Sequence, residues 1–418
     1  MNEVTLYKNL LTKAPTFTDL HKKYNPVLQL VNILIGTIPN CDPILEIWPT
    51  GFRTYNLLVP NLLNLPNSLL GSKTVKKLMG LAMYESSLSS GCNYCTAHCC
   101  SFAIRRGLNE STITGQATNK ELAVINFARK MGQIPCNINK DDFTELQKYC
   151  NSNEIEAILM GTVLMGFLNK FMDAIGVELE QESIDDVSFL LKNTTWEVGK
   201  HANAEHRAPV KSDIKVDNIL TYIKVFRLAP GAMKLEKRWL KGVPNKTEKI
   251  NEFLNKNIGY DFPVLNKIKR PKSKKVIATV LRDNFSESDT HIGLKNKIIH
   301  GLIFSTIIEN ISLKNDLLAL AEKNSITINV ELQKTIKEFS NNANIETPSD
   351  LTFTNYSLPE QELVAFKFTH QISTSPTNLN NDVLQEVINQ LKATYVVELV
   401  TWISLLQALH RLHKLPIS

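Results

Sequence analysis

The second half of this 418-residue chain contains no cysteine, because all seven lie between residues 41 and 150. An odd number of unevenly spaced cysteines excludes the disulfide framework of a small secreted domain. The N-terminus lacks a basic segment followed by an apolar run, so no secretory signal is predicted. We therefore expect a cytoplasmic protein with reduced thiols.

Long apolar runs and strong charge asymmetry are missing as well. The longest apolar stretch near the N-terminus, 27–38, is interrupted by polar residues and is too short to cross a bilayer, so no membrane association is expected. The net charge of +6 is modest. The densest basic stretch, 267–275, has no aromatic residues for base stacking, which favours a solvated loop over a nucleic-acid site. We expect no nucleic-acid partner.

Alternating patterns typical of strands are scarce, whereas apolar residues at helical spacing recur in both halves. The predicted fold class is therefore all-α. The clearest helical segments in the first half are 75–88, 120–131, 143–149 and 155–175, and those in the second half are 294–307, 361–372, 383–391 and 396–412.

Short matches between the halves, in the same order and at a nearly constant offset, predict an internal duplication. We divide the chain into a helical domain at 1–192, a linker at 193–217 and a second helical domain at 218–418. Duplicated units usually pack about a pseudo-twofold axis, so a pseudo-dimer is expected. The matched segments are 7–15 with 222–230, 20–24 with 235–239, 43–45 with 263–265, 77–79 with 297–299, 121–127 with 362–368 and 156–159 with 398–401.

One stretch carries reactive groups. Cys92 and Cys95 are three residues apart, which puts both on one face of a helix. Ser90 and Gly91 are predicted to cap that helix, and a thiol at its first turn would lose its proton more readily. His98 follows Cys95 by about one turn and could exchange a proton with its sulfur. The sequence thus predicts an activated dithiol.

The second copy has neither cysteine nor histidine opposite this motif, so it is expected to pack against or close the pocket of the first. A metal site is not expected. Cys92, Cys95, His98 and Cys99 are zinc-ligand types, but side chains within one short helix point apart and cannot surround a tetrahedral ion.

The first half resembles the alkylhydroperoxidase AhpD/carboxymuconolactone decarboxylase-like family. The resemblance rests on Gly91-Cys92-Asn-Tyr-Cys95-Thr-Ala-His98, on Phe102-Ala-Ile-Arg-Arg-Gly107, and on the segment from Asn169 to Glu180. It covers about residues 43–180. In the second half it rests only on the internal match. The resemblance implies an all-helical fold and a dithiol that reduces hydroperoxides or exchanges disulfides.

The resemblance also implies roles. Cys95 would attack the peroxide, and Cys92 would resolve the sulfenic acid into a disulfide. A histidine and a glutamate assist, and His98 matches the histidine. The family glutamate lies about a dozen residues before the first cysteine, where this chain has Gly80, so Glu85 is the predicted substitute. No organic cofactor is implied. Electrons would come from a dithiol protein or a small thiol, and a homo-oligomer is expected.

Two other functions stay open at this point. One is a decarboxylase- or isomerase-like enzyme of the same fold, a branch that generally lacks the cysteine pair. The other is a non-catalytic helical protein whose dithiol senses redox state.

Overall fold

The structure is a computed structural model that describes residues 5–65, 67–341 and 359–415. These residues form α-helices joined by turns and three short 3₁₀ helices, and no strand occurs among them. The all-α prediction is confirmed.

The first half contains twelve α-helices in its described residues. They are α1 (Leu6–Leu11), α2 (Phe17–Ile35), α3 (Cys41–Glu46), α4 (Pro49–Leu62), α5 (Asn67–Leu70), α6 (Lys73–Ser89), α7 (Asn93–Arg105), α8 (Glu110–Ile113), α9 (Asn119–Gly132), α10 (Lys140–Tyr149), α11 (Ser152–Ile175) and α12 (Gln181–Leu191).

The second half continues with helices of similar length in a similar order. They are α13 (Ile219–Trp239), α14 (Glu248–Ile258), α15 (Pro271–Asn284), α16 (Leu294–Ile307), α17 (Ile311–Lys323), α18 (Val330–Asn341), α19 (Glu360–Ser373), α20 (Asn381–Gln390) and α21 (Ala393–Lys414). All eight segments predicted from helical spacing fall in these helices, with end differences of at most three residues.

Three successive helices of the first half start in the same way. A Thr or Asn side chain accepts the backbone N–H three residues later, and the acidic residue there reaches back to the cap. This capping box satisfies two otherwise unpaired donors, which explains why the helices begin where they do. The pairs are Thr118 with Glu121 in α9, Asn139 with Asp142 in α10, and Asn151 with Glu154 in α11.

The longest helix, α11, lies in the centre of the fold. It packs against α6, α7 and α9 of the first half and against α21 of the second. By length and composition α11 could also cross a membrane, but most of its residues are buried inside the protein. Its apolar character is therefore explained by its place in the core.

The most extensive helix contacts between the two halves are those of α2 with α13, α4 with α15, and α11 with α21. The duplication places α4 and α15, and also α11 and α21, at equivalent positions, whereas α13 is equivalent to α1 and the start of α2. Contact between equivalent elements is what a pseudo-twofold axis would produce, although these contacts do not define the rotation. The tandem pseudo-dimer therefore stays a prediction.

The predicted linker, 193–217, is folded onto the first half. Its one regular element is the 3₁₀ helix Gly199–His201. The carbonyl of His201 accepts the backbone N–H of Leu179 at 2.8 Å. Further on, Asp217 forms an ion pair with the buried Arg106 of the α7 C-terminus. This segment therefore contributes side chains to the first-half core.

The basic stretch 267–275 is not the solvated loop that its charge pattern favours. Lys267 donates to the carbonyl of His413, in the last turn of α21, at 2.7 Å. It also donates to the carbonyl of Leu415, just beyond that helix, at 2.5 Å. Arg270 donates to the carbonyl of Leu62 at 3.1 Å. These cations satisfy carbonyls at helix C-termini, which is a structural role.

Candidate active site

The turn between α6 and α7 carries the dithiol. Gly91 has a φ of +70°, in the left-handed region that glycine enters without steric cost. A Cβ on Gly91 would also lie 3.0 Å from Cδ of Pro376, in the second half. Glycine is therefore required both for the turn and for the close approach of the second half.

Cys92 is itself the N-cap of α7. Its backbone is extended, and its carbonyl accepts the N–H of Thr96 at 2.9 Å. The prediction that Ser90 or Gly91 caps this helix is wrong, because Ser90 is the C-cap of α6. The Cys92 thiol thus lies at the partially positive end of α7, next to Cys95 in the first turn.

Both thiols are buried, with Cys92 1% and Cys95 4% exposed. Burial opposes ionisation of Cys92, but interactions with Cys95 and His201 outweigh it and lower the Cys92 pKa to about 6. Burial, and then the hydrogen bond to Cys92, raise the pKa of Cys95 well above its usual range. The directions of the two pKa shifts favour a thiolate at Cys92 and a protonated thiol at Cys95.

Cys95, rather than Cys92, lines a cavity of about 80 Å³. Its walls are almost entirely apolar, and His98 is one of the few polar groups on them. The cavity shares Tyr55 and Val59 with a second apolar cavity of about 100 Å³ that lies between α2, α4 and α13. The other residues that line the cavity at Cys95 include Met83, Tyr94, Phe102, Leu164, Met165 and Met172.

Glu180 fixes His98 in this cavity wall. His98 Nε2 lies 2.8 Å from Glu180 Oε2, while Oε1 accepts the Tyr94 hydroxyl at 2.7 Å and the Asn40 backbone N–H at 2.6 Å. Burial alone would raise the Glu180 pKa, but His98 and these donors lower it. Glu180 is therefore an ionised carboxylate that orients His98 and can stabilise its protonated form.

A second buried carboxyl group, Asp42 of α3, lies near Glu180. Burial and the charge of Glu180 raise the Asp42 pKa to about 8, so Asp42 is protonated at neutral pH. Two neighbouring carboxyl groups with pKa values pushed apart are a common feature of acid–base sites.

Glu85 is placed elsewhere. Its carboxylate accepts from Arg129 Nε at 2.6 Å. No contact between Glu85 and either cysteine or His98 is found in the described residues. A glutamate at position 80, where the resemblance would put one, does not fit, because a Cβ on Gly80 would lie 2.7 Å from Cα of Ala103 in α7. Glu180 is the carboxylate that contacts His98, and the role predicted for Glu85 stays a prediction.

Sequence reasoning missed Glu180 and His201 as site residues. Glu180 ends the segment that carries the family resemblance, and the only sequence signal is its position after two buried apolar residues, Val177 and Leu179. His201 lies within the predicted linker, where neither spacing nor periodicity marks it. Both reach the site through tertiary contacts that no local pattern encodes, Glu180 with His98 and His201 with the Tyr94 ring.

The second half contributes to this site from α21 and from the turn after α19. Arg411 is fully buried and donates to Ser86 Oγ and the Thr162 carbonyl, both at 2.7 Å. The backbone N–H of Thr377 donates to Asp173 Oδ2 at 2.5 Å. The expectation that the second half packs against the first-half site agrees with these contacts.

Neighbouring polar and sulfur groups have packing roles. Asn169 of α11 donates to Ser90 Oγ at 2.7 Å and accepts from Ser87 Oγ at 3.1 Å, which ties α11 to the dithiol turn. Cys99 lies 3.7 Å from the sulfur of Met165, and Cys100 is fully buried.

No protein-family model matches this chain. No curated protein matches it at a significant level either.

Proposed function

We propose that this chain is a thiol-dependent hydroperoxide reductase of the AhpD-like type, with Cys95 and Cys92 as its redox pair. The observation that carries this proposal is the shared cavity. Cys95 and His98 line one apolar chamber, and Cys92, whose lowered pKa favours the thiolate, interacts with Cys95 from outside it. A peroxide in the chamber would meet a sulfur and a base together, with the resolving thiolate next to that sulfur.

The reaction balances in three steps. Cys95 transfers its proton to His98, and the resulting thiolate attacks the terminal peroxide oxygen; the O–O bond breaks, and the alkoxide takes up the proton to leave as an alcohol. The Cys92 thiolate then attacks the Cys95 sulfenic acid; an S–S bond forms, and hydroxide leaves as water after protonation. A dithiol reductant, either a protein or a small thiol, finally restores both thiols by disulfide exchange.

The chamber favours an organic hydroperoxide over hydrogen peroxide. Its apolar walls would gain free energy by excluding water from an alkyl group, on the order of 0.8 kcal/mol per buried methylene. Hydrogen peroxide offers no such group. The seven unpaired cysteines fit a reducing compartment, so we also propose a cytoplasmic location.

Peroxide consumption in single-residue variants tests the proposal. We expect the wild type to reduce cumene hydroperoxide faster than hydrogen peroxide with dithiothreitol as reductant. Cys95→Ser should abolish turnover, and Cys92→Ser should consume about one equivalent and stop. Cys150→Ser, a cysteine remote from the dithiol, is the matched control and should keep wild-type rates. Full activity of Cys95→Ser would remove the peroxidase proposal.

One observation favours a second function, a redox sensor with little turnover: both thiols are buried and out of contact with bulk solvent. A sensor would form the Cys92–Cys95 disulfide with peroxide once but would not cycle at a useful rate with a reductant. A decarboxylase- or isomerase-like activity keeps the same fold but has no use for the cysteine pair. Steady-state turnover in the assay above separates these functions.

A homo-oligomer is also proposed, supported by an exposed apolar face on α13. Ile219, Leu220, Ile223 and Met233 are each more than half exposed. Exposed apolar patches of this kind usually mark an interaction surface. Light scattering should give a mass above the 47.1 kDa of one chain, and Ile223→Glu should lower it.

A further inference from the structure

A buried histidine outside the Cys-x-x-Cys motif lies at the dithiol. His201, in the 3₁₀ helix between the halves, is 1% exposed. Its Nδ1 lies 2.7 Å from the carbonyl oxygen of Val177. A carbonyl can only accept, so Nδ1 carries a proton, and the neutral ring presents the lone pair of Nε2.

The Nε2 atom of His201 has no hydrogen-bond partner, sulfur included, among the described residues. The Asp173 carboxylate lies nearby, with Oδ1 at 4.0 Å, and the imidazole acts electrostatically on the Cys92 thiol. Asp173 is fixed by Lys200 at 2.7 Å and by the N–H of Thr377 at 2.5 Å. A proton acceptor is therefore held beside Cys92 with an anion behind it.

The rings of both histidines of the site lie near the ring of one tyrosine, Tyr94. The ring of Tyr94 is 4.6 Å from the ring of His98 and 5.8 Å from that of His201, measured between centroids. His98 shares its cavity with Cys95, and His201 acts electrostatically on Cys92. Each thiol is thus influenced by a different imidazole.

Other charged groups near Cys92 come from two elements. Lys170 of α11 donates to the carbonyls of Ile372 and Thr374, and burial lowers its pKa to about 7. Arg411 of α21 is the second cation, and Asp173 is the anion. Lys170 and Arg411 favour a thiolate by charge, but both already donate to fixed oxygens. His201 is the group with a free acceptor nitrogen.

We propose that His201, oriented by Val177 and Asp173, is the base that takes the proton of Cys92 and makes it the resolving thiolate. This inference rests on the proposed hydroperoxide reductase function. Before peroxide reacts, the Cys92 S–H bond breaks and the proton moves to Nε2. In the resolving step the resulting thiolate forms the S–S bond with Cys95, and the S–O bond of the sulfenic acid breaks. The proton held by His201 matches the one that the departing hydroxide needs, so the step is balanced.

The test measures Cys92 ionisation directly, without turnover. Thiolate absorbance near 240 nm is recorded against pH for each protein, and the curve of the same protein with Cys92→Ser is subtracted. In the wild type the difference should titrate near pH 6, as expected for Cys92. In His201→Gln, which keeps an amide near the position of Nε2 but cannot accept the proton, the midpoint should rise by at least one unit.

A second readout follows the sulfenic acid. After one equivalent of cumene hydroperoxide, His201→Gln should accumulate a dimedone-reactive Cys95 adduct at least tenfold above wild type, because resolution is slow. His98→Gln is the matched control, and it should leave the Cys92 midpoint in place. His201→Asn, whose amide can still donate to Val177, replaces the Gln variant if circular dichroism shows that the latter is unfolded.

An unchanged midpoint of Cys92 ionisation in the folded His201 variant would overturn the inference. The low pKa of Cys92 would then be attributed to Lys170, Arg411 and the helix N-terminus. If the proposed function is wrong but this inference is right, the result differs. The midpoint of Cys92 ionisation would still depend on His201, but neither the wild type nor any variant would consume more than one equivalent of peroxide.

Discussion

At the scale of single residues, two buried glutamates differ in what they contact. Glu180 accepts from His98, Tyr94 and the backbone of Asn40, so it is held in the wall of the Cys95 cavity. Glu85 pairs with Arg129, whose side chain is half exposed. Only the first arrangement can stabilise a protonated histidine near the reacting sulfur.

Glu180→Gln should therefore lower peroxide turnover by about 10- to 100-fold, since an amide cannot stabilise the imidazolium of His98 as a carboxylate does. Glu85→Gln, of equal size and charge change, should lower it far less. Initial rates of cumene hydroperoxide reduction at saturating reductant measure both. A larger loss for Glu85→Gln would return the proton-carrying role to Glu85.

Asp42 makes folding depend on pH through a single buried group. Its pKa of about 8 in the folded protein lies above the ordinary value of 3.8. Below about pH 4 the group is protonated in both states and has no effect. As pH rises from about 4 to about 8, the unfolded chain ionises and the folded protein does not, so stability is lost over that range.

Asp42→Asn should remove this dependence. We expect the variant to be more stable than wild type by roughly 1–3 kcal/mol at pH 8, with the advantage shrinking toward pH 4. Urea denaturation at several pH values gives the difference, in which the other titrating groups cancel. An advantage that stayed constant with pH would mean that Asp42 is ionised in the fold.

At the scale of helices, the contact between α11 and α21 depends on a glycine. A Cβ on Gly166 would lie 3.0 Å from Cα of Ala408 and 3.0 Å from the carbonyl oxygen of Gln407. Both atoms belong to the backbone, so neither can move without shifting α21. On the same helix, a Cβ on Gly161 would meet the flexible side chain of Met83 at 3.2 Å.

Gly166→Ala should destabilise the protein by about 1–3 kcal/mol, because the overpacking exceeds the gain in helix propensity of roughly 1 kcal/mol. Gly161→Ala is the matched control and should be neutral or stabilising, because Met83 can change rotamer. Thermal or urea unfolding measures both. Equal effects of the two substitutions would show that α21 adjusts freely to α11.

Helices were predictable because their signals are local. Apolar spacing predicted both ends of α16 correctly, and it predicted each end of α11 and α21 to within three residues. The contacts between helices are harder to predict from the sequence, because the close approach at Gly166 depends on one missing Cβ that no periodicity marks.

The dithiol was predictable for the same reason, whereas its partners were not. Cys92, Cys95 and His98 lie within seven residues. Glu180 and His201 are 82 and 109 positions away from their partners His98 and Cys92, counted along the sequence. Burial decides their chemistry, because a carboxylate or an imidazole with the same neighbours on the surface would act weakly through water.

At the scale of the whole molecule, the second half places a cation behind the first-half dithiol. Arg411 is completely buried and has no carboxylate within ion-pair distance among the described residues. Its donors reach Ser86, the Thr162 carbonyl and, at 3.5 Å, the Gly132 carbonyl. Burial lowers its pKa only to about 10, so the guanidinium is charged at neutral pH.

A buried cation without a carboxylate partner is costly unless other negative charge lies nearby. The groups whose charge acts on Arg411 are Cys136, Cys95 and Cys92. Arg411 therefore links the halves in two ways: its hydrogen bonds hold α21 against α6 and α11, and its charge favours a thiolate in the dithiol.

Arg411→Gln should affect both properties. We expect the free energy of unfolding to fall by about 2–4 kcal/mol, because buried acceptors on α6 and α11 lose their donors, and the pKa of Cys92 to rise above that of the wild type. Lys414→Gln, at the last residue of the same helix, removes an equal charge near the surface and should change stability by less than about 0.5 kcal/mol. Urea denaturation and thiolate absorbance measure the two effects. A variant that lost stability while keeping the Cys92 titration would limit Arg411 to joining the halves.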